Sequence, residues 1–477
     1  MSESWILLKE SNMQNLYENT QELDNRACAL YGLEPSLLME NAAASLHQEL
    51  DKRAQGLKNV LVVCGGGDNG GDGYALARRL RGSKYSVQVL SAKEPKSALC
   101  QIQYQRALAS RVEILPALEL CQTPQVVIDC LLGSGLKGAL SQELQDVIHS
   151  LNALNALKIA CDVPSGLDAH GFIESVAFRA NLCVSMGALK SGLFSDGAKD
   201  FVGEVVVANL GVGQDLYEED SVLFLLEKSD LVLPWRVKQN THKGYFGHVG
   251  VVVGAQSGAG LLSAKSALAF GAGMVSVLGA PTLRYIKPAE IMYSPTIPQQ
   301  ATAFALGMGL DTLPKNLEQM LALAPCVLDA GVFYEKALVH ILKQPYQVVL
   351  TPHPKEFLSL LQMLGHQLDM PELLRFKLKW AHAFSQAYPH IVLLLKGANP
   401  IIAYSGQIYI NPLGSSALAK GGSGDVLSGM IAALLAQGYS LLDAALNASL
   451  AHALAGSADP HSYSLTPSKL INALATL

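Results

Sequence analysis

The chain has 477 residues, half of them hydrophobic and 42 of them glycine, too long for one ordinary core and suited in composition to two α/β domains. A formal net charge of -5 and a pI near 6.2 leave no basic face, which argues against nucleic acid as the main partner and for a small-molecule role. No run reaches membrane-spanning length, and the apolar patch Trp5 to Leu8 is too short for a secretory signal, so no membrane association and a cytoplasmic location are expected.

Eight cysteines (28, 64, 100, 121, 130, 161, 183 and 326) include no C-x-x-C pair, and several lie in apolar strand-like runs. Reduced core thiols are expected, not disulfides or a metal cluster.

After a polar helical opening, Leu37 to Ala44 continues as a helix toward Leu50, with Glu40 and Asn41 as polar positions in a small, apolar stretch. Asn59 to Cys64 reads as a buried strand entering the glycine loop Gly65 to Gly73, followed by a helix from Tyr74 to Leu80. Strand, glycine loop and helix follow one another as in a Rossmann-like phosphate site. Gly65, Gly67 and Gly70 satisfy G-x-G-x-x-G, a weak pattern alone, and the next strand, Val87 to Leu90, ends in Ser91 with no acidic residue for a ribose. Val126 to Asp129 then leads into Gly133 to Gly138, and Leu157 to Cys161 into Asp162 to Asp168. Ligands of open parallel sheets gather at strand carboxyl ends, so Asn69, Asp72, Asp129, Asp162 and Ser165 are expected to converge on one crevice. Oxygen donors without a His or Cys cluster suit a hard cation and not zinc.

The segment Leu210 to Asp230, with Glu218-Glu219-Asp220, reads as a boundary, and a second alternation follows it. Lys243 to His248 precedes a strand, Val249 to Val253; Gly254 to Gly260 opens an Ala-rich helix through Leu268; Gly307 to Leu310 and a strand end at Asp329 come next. Val348 to Leu350 leads into Thr351 to Glu356, with His353 between two prolines, and Val392 to Leu395 leads into Lys396 to Asn399. Last comes Gly421 to Gly429, after whose glycines Val426, Leu427, Met430, Ile431, Leu434 and Leu435 recur at helical spacing up to Gly438. That pattern predicts a helix N-terminus preceded by an anion cradle, with Asp425 in the first turn as a candidate base. Structural alternatives stay open at this point: a helix-terminal charge for Asp425, a capped turn residue for His353, and a surface charge for Lys396.

These residues resemble a known family in order. L-M-E-N-A at 38 to 42, the glycine loop, Asp129 before G-S-G, D-V-P-S-G-L-D at 162 to 168 and G-A-L-K-S-G-L at 187 to 193 resemble the NAD(P)HX epimerase domain. H-K-G at 242 to 244, G-A at 258 and 259, T-P-H-P-K-E at 351 to 356, K-G-A at 396 to 398 and G-G-S-G-D-V-L-S-G at 421 to 429 resemble the ribokinase-like ADP/ATP-dependent NAD(P)HX dehydratase. The resemblance implies a Rossmann-like three-layer αβα epimerase domain over 1–215, a boundary over 216–230 and a ribokinase-like α/β dehydratase domain over 231–477. It implies repair of NADHX and NADPHX at the expense of ADP, or of ATP, and a homo-oligomer is expected.

The resemblance also implies site residues. In the first domain Asp68, Asn69, Gly70, Gly71, Asp72, Gly133, Ser134, Gly135, Leu136, Lys137, Gly138, Ala139 and Asp162 would hold the hydrate, and Asn69, Asp129 and Ser165 a potassium ion. In the second, Ala259, Gly309, His353 and Asp425 would face the hydrate, while Lys396, Gly397, Ala398, Asn399, Pro400 and Gly424 would face a nucleotide bound with Mg2+. Asp162 and Asp425 would be catalytic. Three positions depart from the family: Asp68 for the usual Asn, Pro400 for a Thr, and Gly331 for the second Asp of D-A-D. Two rival functions remain, a ribokinase-type small-molecule kinase and a non-catalytic nucleotide-binding scaffold.

Overall fold

The computed structural model describes residues 13–136, 138–458 and 461–477. The chain forms two compact units, Asn15–Ser221 and Val222–Leu477, the latter with Met13 and Gln14. The break therefore falls within 216–230. On its two sides, Tyr217 is buried in the first unit and a strand of the second begins at Leu223.

After a short strand β1 (Gln14–Leu16), the first unit runs β2 (Asn59–Cys64), β3 (Ser86–Ser91), β4 (Glu113–Leu115), β5 (Val126–Cys130), β6 (Leu157–Cys161), β7 (Leu182–Met186) and β8 (Glu204–Ala208). Their order in the sheet is β4-β3-β2-β5-β6-β7-β8, every pair parallel. The chain winds outward from β2 to β4 and then returns to β5, so the cleft between the ends of β2 and β5 is a topological switch point, where α/β sheets bind ligands. β2 and β5 are apolar because both faces of the sheet are covered.

The helix after β2 spans Asp68–Leu80, starting six residues earlier than its apolar pattern predicts. Its glycines serve close packing and not a loop: a Cβ on Gly70 would lie 2.0 Å from Gly65 O, and one on Gly73 would lie 2.6 Å from Cys64 Sγ. Glu40 and Asn41 tie the helix Pro35–Arg53 to its neighbours, Arg78 donating to Glu40 at 2.6 Å and Asn41 to Leu210 O at 2.8 Å.

The second unit contains β9 (Leu223–Leu225), β10 (His248–Val252), β11 (Met274–Leu278), β12 (Met292–Ser294), β13 (Ala303–Leu306), β14 (Cys326–Leu328), β15 (Val348–Leu350), β16 (Ile391–Leu395), β17 (Ile401–Tyr404) and β18 (Gln407–Ile410). They are ordered β9-β18-β17-β16-β15-β14-β13-β10-β11-β12, parallel from β16 to β12, with antiparallel β16-β17 and β17-β18. Here the winding reverses between β10 and β13.

The helix Ser423–Ala436 is buried along nearly its whole length and meets the helix Ser257–Ala269 at Gly429, where a Cβ would lie 2.1 Å from Ser263 O. Ser266 Oγ donates to Val426 O at 2.8 Å across the same contact. Burial of Val426, Leu427, Met430, Ile431 and Leu434 contributes about 1.5–3 kcal/mol per large side chain and fixes the first turn of this helix against the sheet.

All eight cysteines are free thiols, six of them buried and Cys28 and Cys121 partly exposed. No described helix is long and apolar enough to cross a membrane.

Candidate active sites

In the first unit the expected residues gather at the β2/β5 switch point and the ends of β5 and β6. Asp129, fully buried at the end of β5, accepts from Ser165 N–H on Oδ2 (2.8 Å) and on Oδ1 from the Ser165 hydroxyl (2.7 Å) and Leu131 N–H (3.1 Å). Burial pushes its carboxyl up to about 6 despite these donors. Asn69, in the first turn of Asp68–Leu80, has both Oδ1 and Nδ2 buried without a partner. Its side chain and Asp162 Oδ2 both approach Gly133, at 3.6 Å and 3.3 Å from a Cβ built there. The loop around Gly133 thus spans two of the predicted residues.

Asp162 follows β6 at φ +69°, a left-handed conformation uncommon outside glycine. Its Oδ1 lies 2.6 Å from Lys190 Nζ and accepts from Met186 N–H at 3.2 Å; its Oδ2 accepts from Ser134 N–H at 3.4 Å. Burial, then the Asp162 and Asp68 carboxylates, hold the Asp72 carboxyl well above the ordinary range, while Cys161 Sγ donates to Asp72 Oδ2 at 3.9 Å. Gly135, Gly138 and Ala139 lie on an exposed loop and Leu136 is half-buried; Lys137 lies outside the described residues. Asp68 is exposed.

Two participants carry no assigned role in the sequence reading. Lys190 sits within G-A-L-K-S-G-L, but its type gives no hint that it is buried. Asp24, which accepts from Tyr217 Oη at 2.6 Å, comes from a helix far from any motif. Burial raises its carboxyl, and it lies within the fields of Lys190 and Asp162.

In the second unit, Gly422 at φ +92° turns the chain into Ser423–Ala436, whose first-turn amides have no helix partner, although Ser423 N–H is taken by Lys420 O at 3.1 Å. Lys396, just after β16, lies with its Nζ 3.4 Å from a Cβ built on Gly424, so an ammonium stands over that helix terminus. It is partly buried and donates to Asp329 Oδ1 at 2.7 Å, which removes the surface-charge alternative. Asp329, buried at the end of β14, also accepts from Ser428 Oγ (2.7 Å) and Ala330 N–H (2.8 Å). Burial and the Asp329 carboxylate push Asp425 up to about 6, Lys396 acting in the opposite direction.

His353 caps the helix Pro354–Met363: its Nδ1 accepts from Glu356 N–H at 3.2 Å and its own N–H donates to Glu356 Oε2 at 2.8 Å. The same contacts turn the Glu356 carboxylate toward Lys396, 4.0 Å away, and burial pushes Glu356 up to about 7. Gly309, after β13, accepts on its carbonyl from Gln256 N–H at 3.2 Å, and Ala259 N–H donates to Gln256 O at 3.2 Å, so both border the β10/β13 switch point. In the turn after Lys396, Gly397 and Ala398 are exposed and Asn399 is buried, while Pro400 O accepts from Asn411 N–H at 3.0 Å. A Cβ at Gly331 would lie 2.7 Å from Leu310 O, so the backbone here suits glycine over the family's aspartate. His452, with no local motif, reaches the cradle from the helix Leu441–Ser457, its Nε2 3.1 Å from Ser423 Oγ and 3.0 Å from Ser423 O.

A family model described as YjeF-related protein N-terminus matches residues 36–192, and one described as NAD(P)H-hydrate dehydratase matches residues 249–476. A bifunctional NAD(P)H-hydrate repair enzyme Nnr of Helicobacter pylori is 50% identical over 471 residues, 98% of this chain and 100% of its own. The enzyme of the same name from Pyrobaculum aerophilum is 30% identical over 504 residues, 97% of each chain. Among solved structures, an ADP/ATP-dependent NAD(P)H-hydrate dehydratase from Bacillus subtilis, co-crystallised with ATP/Mg2+, aligns with 51% of this chain and 92% of its own at 27% identity and TM-score 0.44. The chain belongs to the family of bifunctional NAD(P)H-hydrate repair enzymes.

Proposed function

We propose that residues 15–221 interconvert the R and S hydrates of NADH and NADPH, and that residues 222–477 return the S hydrate to NAD(P)H at the expense of ADP, releasing AMP and phosphate. The observation that carries this reading is Asp425, a carboxylate tuned to about 6 in the first turn of a helix whose terminus also faces the Lys396 ammonium. A carboxylate beside an anion cradle is repelled by what the cradle binds, so its presence there calls for chemistry.

The hydrate bears its hydroxyl on C6, a carbon bonded to the ring nitrogen. Phosphate is a much better leaving group from such a carbon than hydroxide. Asp425 takes the hydroxyl proton as that oxygen attacks the terminal phosphorus of ADP and AMP departs; the amides of Gly422 and Gly424 and Lys396 Nζ face the charge on the transferring group. The phosphorylated carbon then loses phosphate and the adjacent carbon a proton, forming the double bond of NAD(P)H. Mg2+ would accompany the nucleotide phosphates and offset their charge.

Epimerisation requires only that oxygen leave C6 and return on the other face, through an iminium or ring-opened form. Asp162 Oδ2 moves the proton, with the buried Asp72 carboxyl, held above the ordinary range, as a second candidate. A potassium ion fits the donors beside them: among the described residues, the Asn69 amide is buried without a partner, and the buried Asp129 carboxylate has hydrogen bonds but no cationic side chain acting on it. Asn69, Asp129 and Ser165 would hold the ion, whose charge would offset that of Asp129. The same reading places the enzyme, as a homo-oligomer, with the cytoplasmic cofactor pool.

Product analysis separates this function from a small-molecule kinase. With S-hydrate and ADP, the reaction yields NADH, AMP and inorganic phosphate in equal amounts. A stable phosphorylated product without inorganic phosphate would establish the kinase instead.

A further inference from the structure

Lys190 is 5% exposed, a position lysine rarely occupies without a partner, because desolvating an ammonium is costly. Its three protons have three acceptors: Asp162 Oδ1 at 2.6 Å, Met186 O at 3.2 Å and Ser185 Oγ at 3.4 Å. None is left for a substrate. Asp162 is correspondingly asymmetric. Oδ1 takes the ammonium and the Met186 amide, whereas Oδ2, among the described residues, has only the long bond from Ser134 N–H and faces the Gly133 loop. Two further carboxylates, Asp24 and Asp72, act on this pair from other elements. The turn that presents Lys190 is itself fixed, since Gly187 stands at φ +74° and a Cβ there would lie 2.3 Å from Tyr217 Oη.

We infer that Lys190 is a positioning residue of the epimerase site: its ammonium pins Asp162 Oδ1 and leaves Oδ2 as the oxygen that exchanges the proton with the hydrate. The inference rests on the reading of Asp162 as the acid/base group. It assigns the required property to the charge of Lys190 and not to its bulk or hydrogen bonds.

The test is the interconversion of R and S hydrate by the full chain, without nucleotide so that dehydration is silent, in Asp162→Asn, Lys190→Gln, Lys190→Arg and the Asp162→Asn/Lys190→Gln double variant. Lys190→Gln keeps polar contacts but no charge; its kcat is expected to fall about 100-fold, in line with the loss of one acid/base function, while KM changes by less than about threefold. Lys190→Arg, which restores the charge, is expected to recover at least about a tenth of the wild-type rate. The double variant, a neutral pair with no orphaned charge, is expected to be no slower than Asp162→Asn alone, because Lys190 acts only through Asp162.

Wild-type kcat in Lys190→Gln beside an inactive Asp162→Asn overturns the role of Lys190 and leaves that of Asp162 standing. A double variant much slower than Asp162→Asn also overturns it, and remains decisive where Lys190→Gln alone fails to fold. Wild-type kcat in Asp162→Asn overturns the underlying reading itself.

Discussion

Lys396 Nζ and Asp329 Oδ1 lie 2.7 Å apart, joining the end of β16 to the end of β14 directly beside the first turn of Ser423–Ala436. Asp329 holds the ammonium where, on the proposed route, the phosphoryl group would pass, and Ser428 Oγ holds Asp329 in turn at 2.7 Å. Lys396→Met therefore removes a cation from the reaction and strands a buried carboxylate. It should lower dehydratase kcat by about 100-fold and destabilise the fold by roughly 3 kcal/mol, measurable by steady-state kinetics and urea unfolding. Ser428→Ala should cost only about 1 kcal/mol, since the other two donors to Asp329 remain.

The pH dependence of dehydration follows from Asp425. As a base it acts ionised, so kcat/KM should fall about tenfold per unit as pH drops below about 6. Stability runs the other way. The fold raises this carboxyl above its unfolded value of 3.8, so its stabilising contribution is full below that value and is lost as pH rises through about 6. Glu356, pushed up to about 7, is a second ionisation in the same site. Glu356→Gln should remove any limb near pH 7 and leave the limb near 6 in place.

His452 makes the opposite contribution. Burial lowers it from 6.5 to about 4, so the unfolded chain takes a proton that the fold refuses. Its stability is present above pH 6.5 and lost as pH falls to about 4, roughly 3 kcal/mol at about 1.4 kcal/mol per unit. His452→Gln, compared with the parent chain across that window, should lose correspondingly less stability on acidification. Equal acid sensitivity in the two proteins would contradict the assignment.

Potassium should stabilise residues 15–221 through Asp129 and Asn69. Replacing NaCl by KCl at constant ionic strength is expected to raise the unfolding midpoint by roughly 5–10 °C, as about 2.7 kcal/mol accrues at a hundredfold excess over Kd. Asp129→Asn should abolish the difference.

Much of this architecture was legible in the sequence, because it depends on local signals. Buried parallel strands are short apolar runs, and the residues that end them, such as Asp129, Asp162, Asp329 and Lys396, stand within four residues of a glycine or proline. The strand boundaries of β2 and β6 follow from that alone. The helix start at Asp68 did not, because Gly70, Gly71 and Gly73 signal a loop by propensity and are held helical by packing against β2, β5 and Met39. His353 is a capping residue, as its place between two prolines allows, and the role of its partner Glu356 depends on burial that the T-P-H-P-K-E string does not report. Lys190, His452 and Asp24 were beyond reach for a different reason. Each acts through a contact between elements distant in sequence, and neither residue type nor spacing reports burial of a lone lysine or of a histidine within an apolar helix.

The most direct test is recovery of NADH absorbance from pure S-hydrate with ADP and Mg2+ in Asp425→Asn, alongside the fluorescence change on hydrate binding. The predicted result is a kcat at least about 1,000-fold below the parent chain with hydrate binding retained, as removal of an essential base requires. Recovery at the parental rate would contradict the assignment of Asp425 and the dehydration route built on it.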